Sequence, residues 1–166
     1  MKTDKIKLRL ATIEDAPALG VLHYSEWMRT YAGVIPQLFL ASKSVERSTN
    51  DFLVNDCKNI LVACIDDEIV GFCGFGEFRG GEAPVNSGEI QGIYINQNYQ
   101  SMGIGTMLLE SALDKLSENG FENVAFWVFD KNYAAVSFYE RKGYVFLNKT
   151  KYIYPGAKGL LYGKKL

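Results

Sequence analysis

Apolar and polar residues alternate through "IKLRLAT" (residues 6–12), and that period of two predicts a strand. From Thr12 the spacing lengthens to that of a helix, with Asp15 placed as in a variant capping box, and runs to about Met28. A Gly/Pro break in "YAGVIPQLFLAS" leads to a short helix with Pro36 near its first turn, and Ser44 caps another helix to about Cys57. "NILVACIDDEIVGFCGFGEF" reads as two β-rich runs folded into a hairpin at Asp66-Asp67. The polar loop "RGGEAPVNSG" follows, then the strand "EIQGIYI". "YQSMGIGTMLLESALDKL" opens on glycines and becomes an amphipathic helix from near Ile104. "FENVAFWVFD" is apolar enough for a strand buried on both faces. "KNYAAVSFYERKG" is helical and stops at Gly143, and "YVFLNKTKYIYP" and "GLLYGKKL" close the chain as strands. The order β-α-α-α-β-β-β-α-β-α-β-β predicts a mixed α/β fold, one sheet with helices on both sides. Two βαβ-like crossovers in its second half require some parallel pairing.

No repeat or linker interrupts this pattern, so residues 1–166 are expected to form one domain. A chain that is 48% hydrophobic and 22% charged has the makings of a packed core. Its net charge of −1 gives no general attraction to nucleic acid or to an anionic membrane, so any anion must be held by a local site. "MKTDKIKLRLATIEDA" has neither the apolar stretch nor the cleavage site of a signal peptide, and no apolar run is long enough to span a bilayer. Cys57, Cys64 and Cys73 form no CxxC pair, which fits free, buried thiols in a reducing cytoplasm. His23, with scattered carboxylates, has no metal-ligand spacing, so no metal is expected.

The glycine-rich helix start is where chemistry enters. The first amides of a helix lack intrahelical acceptors and carry the positive end of its dipole. Gly103 and Gly105 place no Cβ in the way, so the amides from Met102 to Thr106 have the makings of a pyrophosphate cradle. A P-loop would need a lysine after the glycines, and a dinucleotide fingerprint would need a third glycine where Leu108 stands. The stretch by itself fits a tight turn, with glycines there for packing alone, better than it fits an anion site.

Gln100-Ser101-Met102-Gly103-Ile104-Gly105 resembles the [QR]-x-x-G-x-[GA] signature of the GNAT (GCN5-related) acetyltransferases. Three more blocks stand at that family's spacing: "GEIQGIYI" before the loop, "WVFDKN" after the helix, and then "AVSFYERKGY". The resemblance is close over residues 88–146. It implies the GNAT acyl-CoA N-acyltransferase fold, about seven strands flanked by about five helices, and acetyl-CoA as cosubstrate. It implies, further, a cradle of Gln100, Ser101, Met102, Gly103, Ile104, Gly105 and Thr106. The backbone of Ile93, Tyr94 and Ile95 would pair with the pantetheine arm and polarise the thioester. Asn132, near the pantetheine, and Tyr139, the general acid, fall seven residues apart on one helix face. A helix cap and a core aromatic are the plain structural alternatives for those two. Glu89 is the candidate general base, acting directly or through water, with a solvated charge at the strand's edge as the plain alternative, whereas Gln91 is an amide and cannot serve.

"SEWMRTYAGVIPQLFLASKSVER" resembles the corresponding segment of bacterial polyamine N-acetyltransferases, which makes Glu26, Trp27 and Tyr31 candidate acceptor residues. A carboxylate with aromatic faces suits a cationic amine, as does plain helix packing. The acceptor pocket is expected between the first two helices and the 79–88 loop, with His23 a helix residue rather than a base. Small amines, polyamines first, lead the acceptor classes. A protein N-terminal or lysine acetyltransferase, and a CoA-binding sensor without turnover, are the alternatives. Homodimers are common among proteins of this kind, although no segment here carries an interface signal of its own.

Overall fold

A computed structural model describes residues 6–166, so the first five residues of the N-terminus considered above lie outside the described residues. Strand β1 (Ile6–Leu10) leads through a 3-10 turn into helix α1 (Ala16–Tyr31), then α2 (Gln37–Leu40) and α3 (Val45–Val54). A hairpin, β2 (Ile60–Ile65) and β3 (Glu68–Glu77), precedes β4 (Ser87–Ile95). Helix α4 (Ile104–Glu118), β5 (Asn123–Phe129), α5 (Tyr133–Arg141), β6 (Val145–Tyr154) and β7 (Ala157–Lys165) complete the chain. The element order expected from the pattern of the sequence is the one observed.

Local chemistry explains the boundaries. The Thr12 amide donates to Asp15 Oδ2 at 2.8 Å, and Arg9 grips the same carboxylate at 2.7 and 2.9 Å, which fixes the entry to α1. Ser44 Oγ accepts from the Arg47 amide at 3.1 Å and starts α3. Asp66 and Asp67 both have positive φ, 47° and 66°, as a two-residue hairpin turn demands.

The seven strands form one sheet in the order β1-β2-β3-β4-β5-β7-β6. Only one of the two expected crossovers yields a parallel pair, β4 with β5. After α5 the chain enters β6 at the sheet edge, and β7 returns between β6 and β5, antiparallel to both. Helix α4 covers one face, burying Leu108, Leu109, Ala112 and Leu116 against Val70, Cys73, Ile90 and Phe126. Truncating any one of those leucines to alanine costs about 2–5 kcal/mol. A Cβ on Gly88 would lie 2.6 Å from Leu116, so α4 sits against β4 only because position 88 is glycine. On the other face Leu19 and Leu22 of α1 pack on Val62 and Phe72. Among the described residues no helix is long and apolar enough to cross a membrane.

Two irregularities in β4 position the site. Its register with β3 shifts between Gly74 and Phe75, which face Gly92 and Ile90, so Gln91 bulges out of the ladder. Its ladder with β5 covers only Ser87–Glu89 against Asn123–Ala125. From Ile90 onward the β5-facing edge of β4 has no strand partner, and a gap opens in the middle of the sheet.

Candidate active site

The gap ends at the glycine-rich turn. Gly103 has φ +81°, a conformation that L side chains rarely adopt, and Ser101 before it has φ 61°. The first bond of α4 runs from the Met107 amide to the Gly103 carbonyl at 3.1 Å, which leaves the amides of Ile104, Gly105 and Thr106 facing out of the helix end. Nothing lies within 4 Å of a Cβ built on Gly103, and a Cβ on Gly105 would meet only Phe138 Cζ, at 3.9 Å. The fold itself has no need of a bare position at 105. Open space over outward-pointing amides fits an anionic group and not a turn packed for its own sake. Gln100 does not join the cradle through its side chain; its Nε2 donates to the Ile95 carbonyl at 3.3 Å and ties the turn to the end of β4.

Ile93 and Ile95 turn their side chains into the α4 core, while Tyr94 stacks on Phe72 on the opposite face. Helix α5 closes the far side of the gap. Asn132 caps it, Oδ1 accepting from the Ala135 amide at 3.3 Å. Tyr139 is buried against Phe126, ring centres 4.0 Å apart, with Phe138 and Tyr144 around it. Its hydroxyl has no hydrogen-bond partner among the described residues. Burial, with Cys73, Tyr144 and Tyr31 adding smaller repulsions, pushes its pKa far above the ordinary phenol value, so it stays protonated. Its packing and its free hydroxyl coexist: the ring is core and the oxygen is uncommitted.

Glu89 is buried beside the β4 bulge and is not free. Arg79 Nε donates to Oε2 at 2.8 Å, Arg79 Nη2 to Oε1 at 3.2 Å, and the Arg79 amide to Oε2 at 3.3 Å. Reading the sequence placed residue 79 in the acceptor loop but missed this pairing, because nothing local marks which carboxylate an arginine will reach.

The acceptor candidates separate. Glu26 is spent on architecture: Oε2 accepts from Arg29 Nε at 2.9 Å and Oε1 from the Gln97 amide at 3.1 Å, tying α1 to the turn after β4. Trp27 packs with Ile35, Leu40 and Phe129, and Lys43 Nζ lies 4.8 Å from its ring centre. Tyr31 joins the same cluster, edge-on to Trp27 at 5.2 Å. It packs edge-on to Phe129 at 5.1 Å, and the nearby side chains of Tyr94 and Asn132 moderate a pKa raised by burial.

On the α1 face, a cavity of about 580 Å3 runs from the β4 bulge at Gln91 and Gly92 to α3 and the 54–59 loop. His23, Phe52, Phe72 and Tyr94 wall it. Its α3 side, residues 51–59, lies outside the first two helices and the 79–88 loop from which the sequence predicts the acceptor pocket, although Arg79 of that loop lines it. Burial first, then nearby Lys43, holds His23 down at a pKa of about 4, so the imidazole is neutral at physiological pH.

Comparison with known proteins agrees with this fold. The Acetyltransferase (GNAT) family matches residues 23–144. The uncharacterized N-acetyltransferase YuaI of Bacillus subtilis is 29% identical over 81% of this chain and 78% of its own. The spermidine N(1)-acetyltransferase of Thermoplasma acidophilum is 24% identical over 84% and 88%, respectively. In structure, the PaiA N-acetyltransferase of Thermoplasma acidophilum, solved in complex with coenzyme A, superposes with a TM-score of 0.77 at 22% identity, covering 97% of this chain and 99% of that one. The chain belongs to the GNAT acetyltransferase family and is an N-acetyltransferase.

Proposed function

We propose that this protein transfers the acetyl group of acetyl-CoA directly to the primary amine of a small molecule, with polyamines the first class to test. The observation that carries the reading is the unpaired edge of β4 leading to a helix start whose amides are bare at Gly105. Acetyl-CoA brings the acetyl group as an activated thioester. The amides of residues 102–106 hold its pyrophosphate, and the open edge of β4 around Ile93–Ile95 takes the pantetheine arm as an added strand and polarises the carbonyl. As the C–N bond forms and the C–S bond breaks, Tyr139 gives its proton to the departing thiolate. The amine's own proton leaves through water toward Glu89, whose side chain Arg79 holds in place. Asn132 positions the pantetheine side while capping α5.

No covalent acetyl-enzyme is involved. All three cysteines are buried, enclosure pushes Cys73 up to about 12, and burial also raises Cys57 and Cys64, so none offers a ready thiolate. The cavity volume of about 580 Å3 is in keeping with a small acceptor rather than a protein chain. We place this activity in the reducing cytoplasm, carried by one domain.

The test is thiol release from acetyl-CoA across polyamines, amino acids, aminoglycosides and peptides, beside thermal shifts with acetyl-CoA, ATP and NAD. Stabilisation by acetyl-CoA alone and turnover with a small amine are expected. A second reading, a CoA-binding sensor without turnover, draws on Glu89 being fully engaged by Arg79 and on Gln91 being an amide. Stabilisation by acetyl-CoA with no turnover across the panel would favour it.

A further inference from the structure

The cavity on the α1 face is not explained by the cradle, the β4 edge or Tyr139. It touches β4 at the bulge, where Gln91 and Gly92 stand beside the unpaired segment. Four rings wall it: His23 lies edge-on to Phe52, Phe72 and Tyr94 at 5.8, 6.0 and 4.9 Å, and Phe72 stacks on Tyr94 at 5.2 Å. His23 Nδ1 is buried without a hydrogen-bond partner, so the ring is not placed there to satisfy a polar contact of the fold. Asp51 of α3 lines this cavity and also a smaller one that His23 shares, and among the described residues its carboxylate has no ion pair or hydrogen bond. Of the other charges, Arg79 is taken by Glu89, Asp56 and Lys58 both line this cavity, and Lys43, Glu46 and Arg47 line the smaller one beside His23.

Resting on the acetyl-transfer reading above, we propose that this cavity is the acceptor site for a diamine or polyamine. The reacting amine sits at the Gln91–Gly92 bulge and a second, cationic nitrogen between the Asp51 carboxylate and the aromatic walls around His23. An unpaired carboxylate supplies the countercharge, and the faces of the aromatic rings attract a partly desolvated ammonium without a hydrogen bond. Glu26, the carboxylate that the sequence had put forward for this task, is already fully engaged. A monoamine would reach the bulge without using Asp51, so this residue distinguishes acceptors by their second charge.

The experiment compares spermidine with propylamine as acceptors for wild type, Asp51→Asn and Asp51→Glu. Asp51 is exposed, so its loss is expected to raise KM for spermidine by about fivefold, leaving propylamine and acetyl-CoA KM values unchanged, with Asp51→Glu recovering most of the difference. His23 is the sole histidine of the chain, so its imidazole resonances report on the cavity independently of turnover. Spermidine is expected to shift them in wild type and, at the same concentration, less in Asp51→Asn. Equal effects of Asp51→Asn on both amines, or His23 resonances indifferent to spermidine, would overturn the assignment. If spermidine moves His23 while no amine is acetylated, the site stands and the catalytic reading fails; turnover without that shift is the reverse.

Discussion

Replacing Gly105 by alanine sets fold stability against ligand binding, and the two effects have opposite signs. Position 105 lies in the first turn of α4, and an added Cβ meets only Phe138 Cζ at 3.9 Å, an ordinary contact. Alanine in place of glycine in a helix is worth about 0.5–1 kcal/mol when nothing clashes. For a chain of 166 residues that amounts to a rise in Tm of about 1–4 °C. The same methyl group occupies the space over the outward amides where a pyrophosphate would sit, and holding the ligand off by a fraction of an ångström is expected to weaken acetyl-CoA by about tenfold, or about 1.4 kcal/mol. Gly103→Ala is the counterpart: its φ of +81° makes alanine cost about 1 kcal/mol in stability. Calorimetric melting gives the first quantity and titration calorimetry with acetyl-CoA the second. Wild-type acetyl-CoA affinity in Gly105→Ala would refute the cradle, and a lowered Tm would refute the claim that the space is open.

Tyr139→Phe removes a hydroxyl without a protein partner, so Tm and acetyl-CoA affinity should hold while kcat falls by about a hundredfold; an unchanged kcat would remove the acid. Because burial raises the Tyr139 pKa, the wild-type pH–rate profile should show no falling alkaline limb from this group up to pH about 10. Glu89→Gln should lower kcat by at least about tenfold near neutrality, read by stopped assays with acetyl-CoA and spermidine. His23 has a folded pKa of about 4, below the unfolded value of 6.5, so the unfolded chain binds the extra proton between them. The stability this contributes is full above pH about 6.5 and is lost as pH falls through that window, by about 3 kcal/mol in all. Urea unfolding at successive pH values should show that slope in wild type and lose it in His23→Asn.

The elements were legible because their signals are local: alternation in 6–12, the paired aspartates at 66 and 67, Ser44 before α3, Gly143 after α5. The insertion of β7 between β5 and β6 was not, since a crossover predicts direction and handedness but not which later strand fills the place beside it. The cradle was legible in part. Glycines two apart indicate bare amides, yet only the folded structure distinguishes Gly103, required by its backbone, from Gly105, required by nothing in the fold. Glu26 and Glu89 illustrate the limit most clearly. The resemblance makes Glu26 a candidate acceptor residue and Glu89 a candidate base, but the partners that engage them, the Gln97 amide and Arg79, are brought in by tertiary structure. The cavity at His23 and Asp51 was invisible for the same reason: its walls come from α1, α3, β3 and β4, with no contiguous motif.

The central claim is direct transfer from acetyl-CoA to an amine without a covalent intermediate, and the most direct test follows free CoA thiol and acetylated product together. With acetyl-CoA and spermidine both present, the account predicts thiol release matched one for one by acetylspermidine, with no release before the amine is added and no acetylated cysteine by mass spectrometry. A burst of thiol before any amine, carrying acetyl onto Cys57, Cys64 or Cys73, would contradict it, as would no acetylation of any amine in the panel.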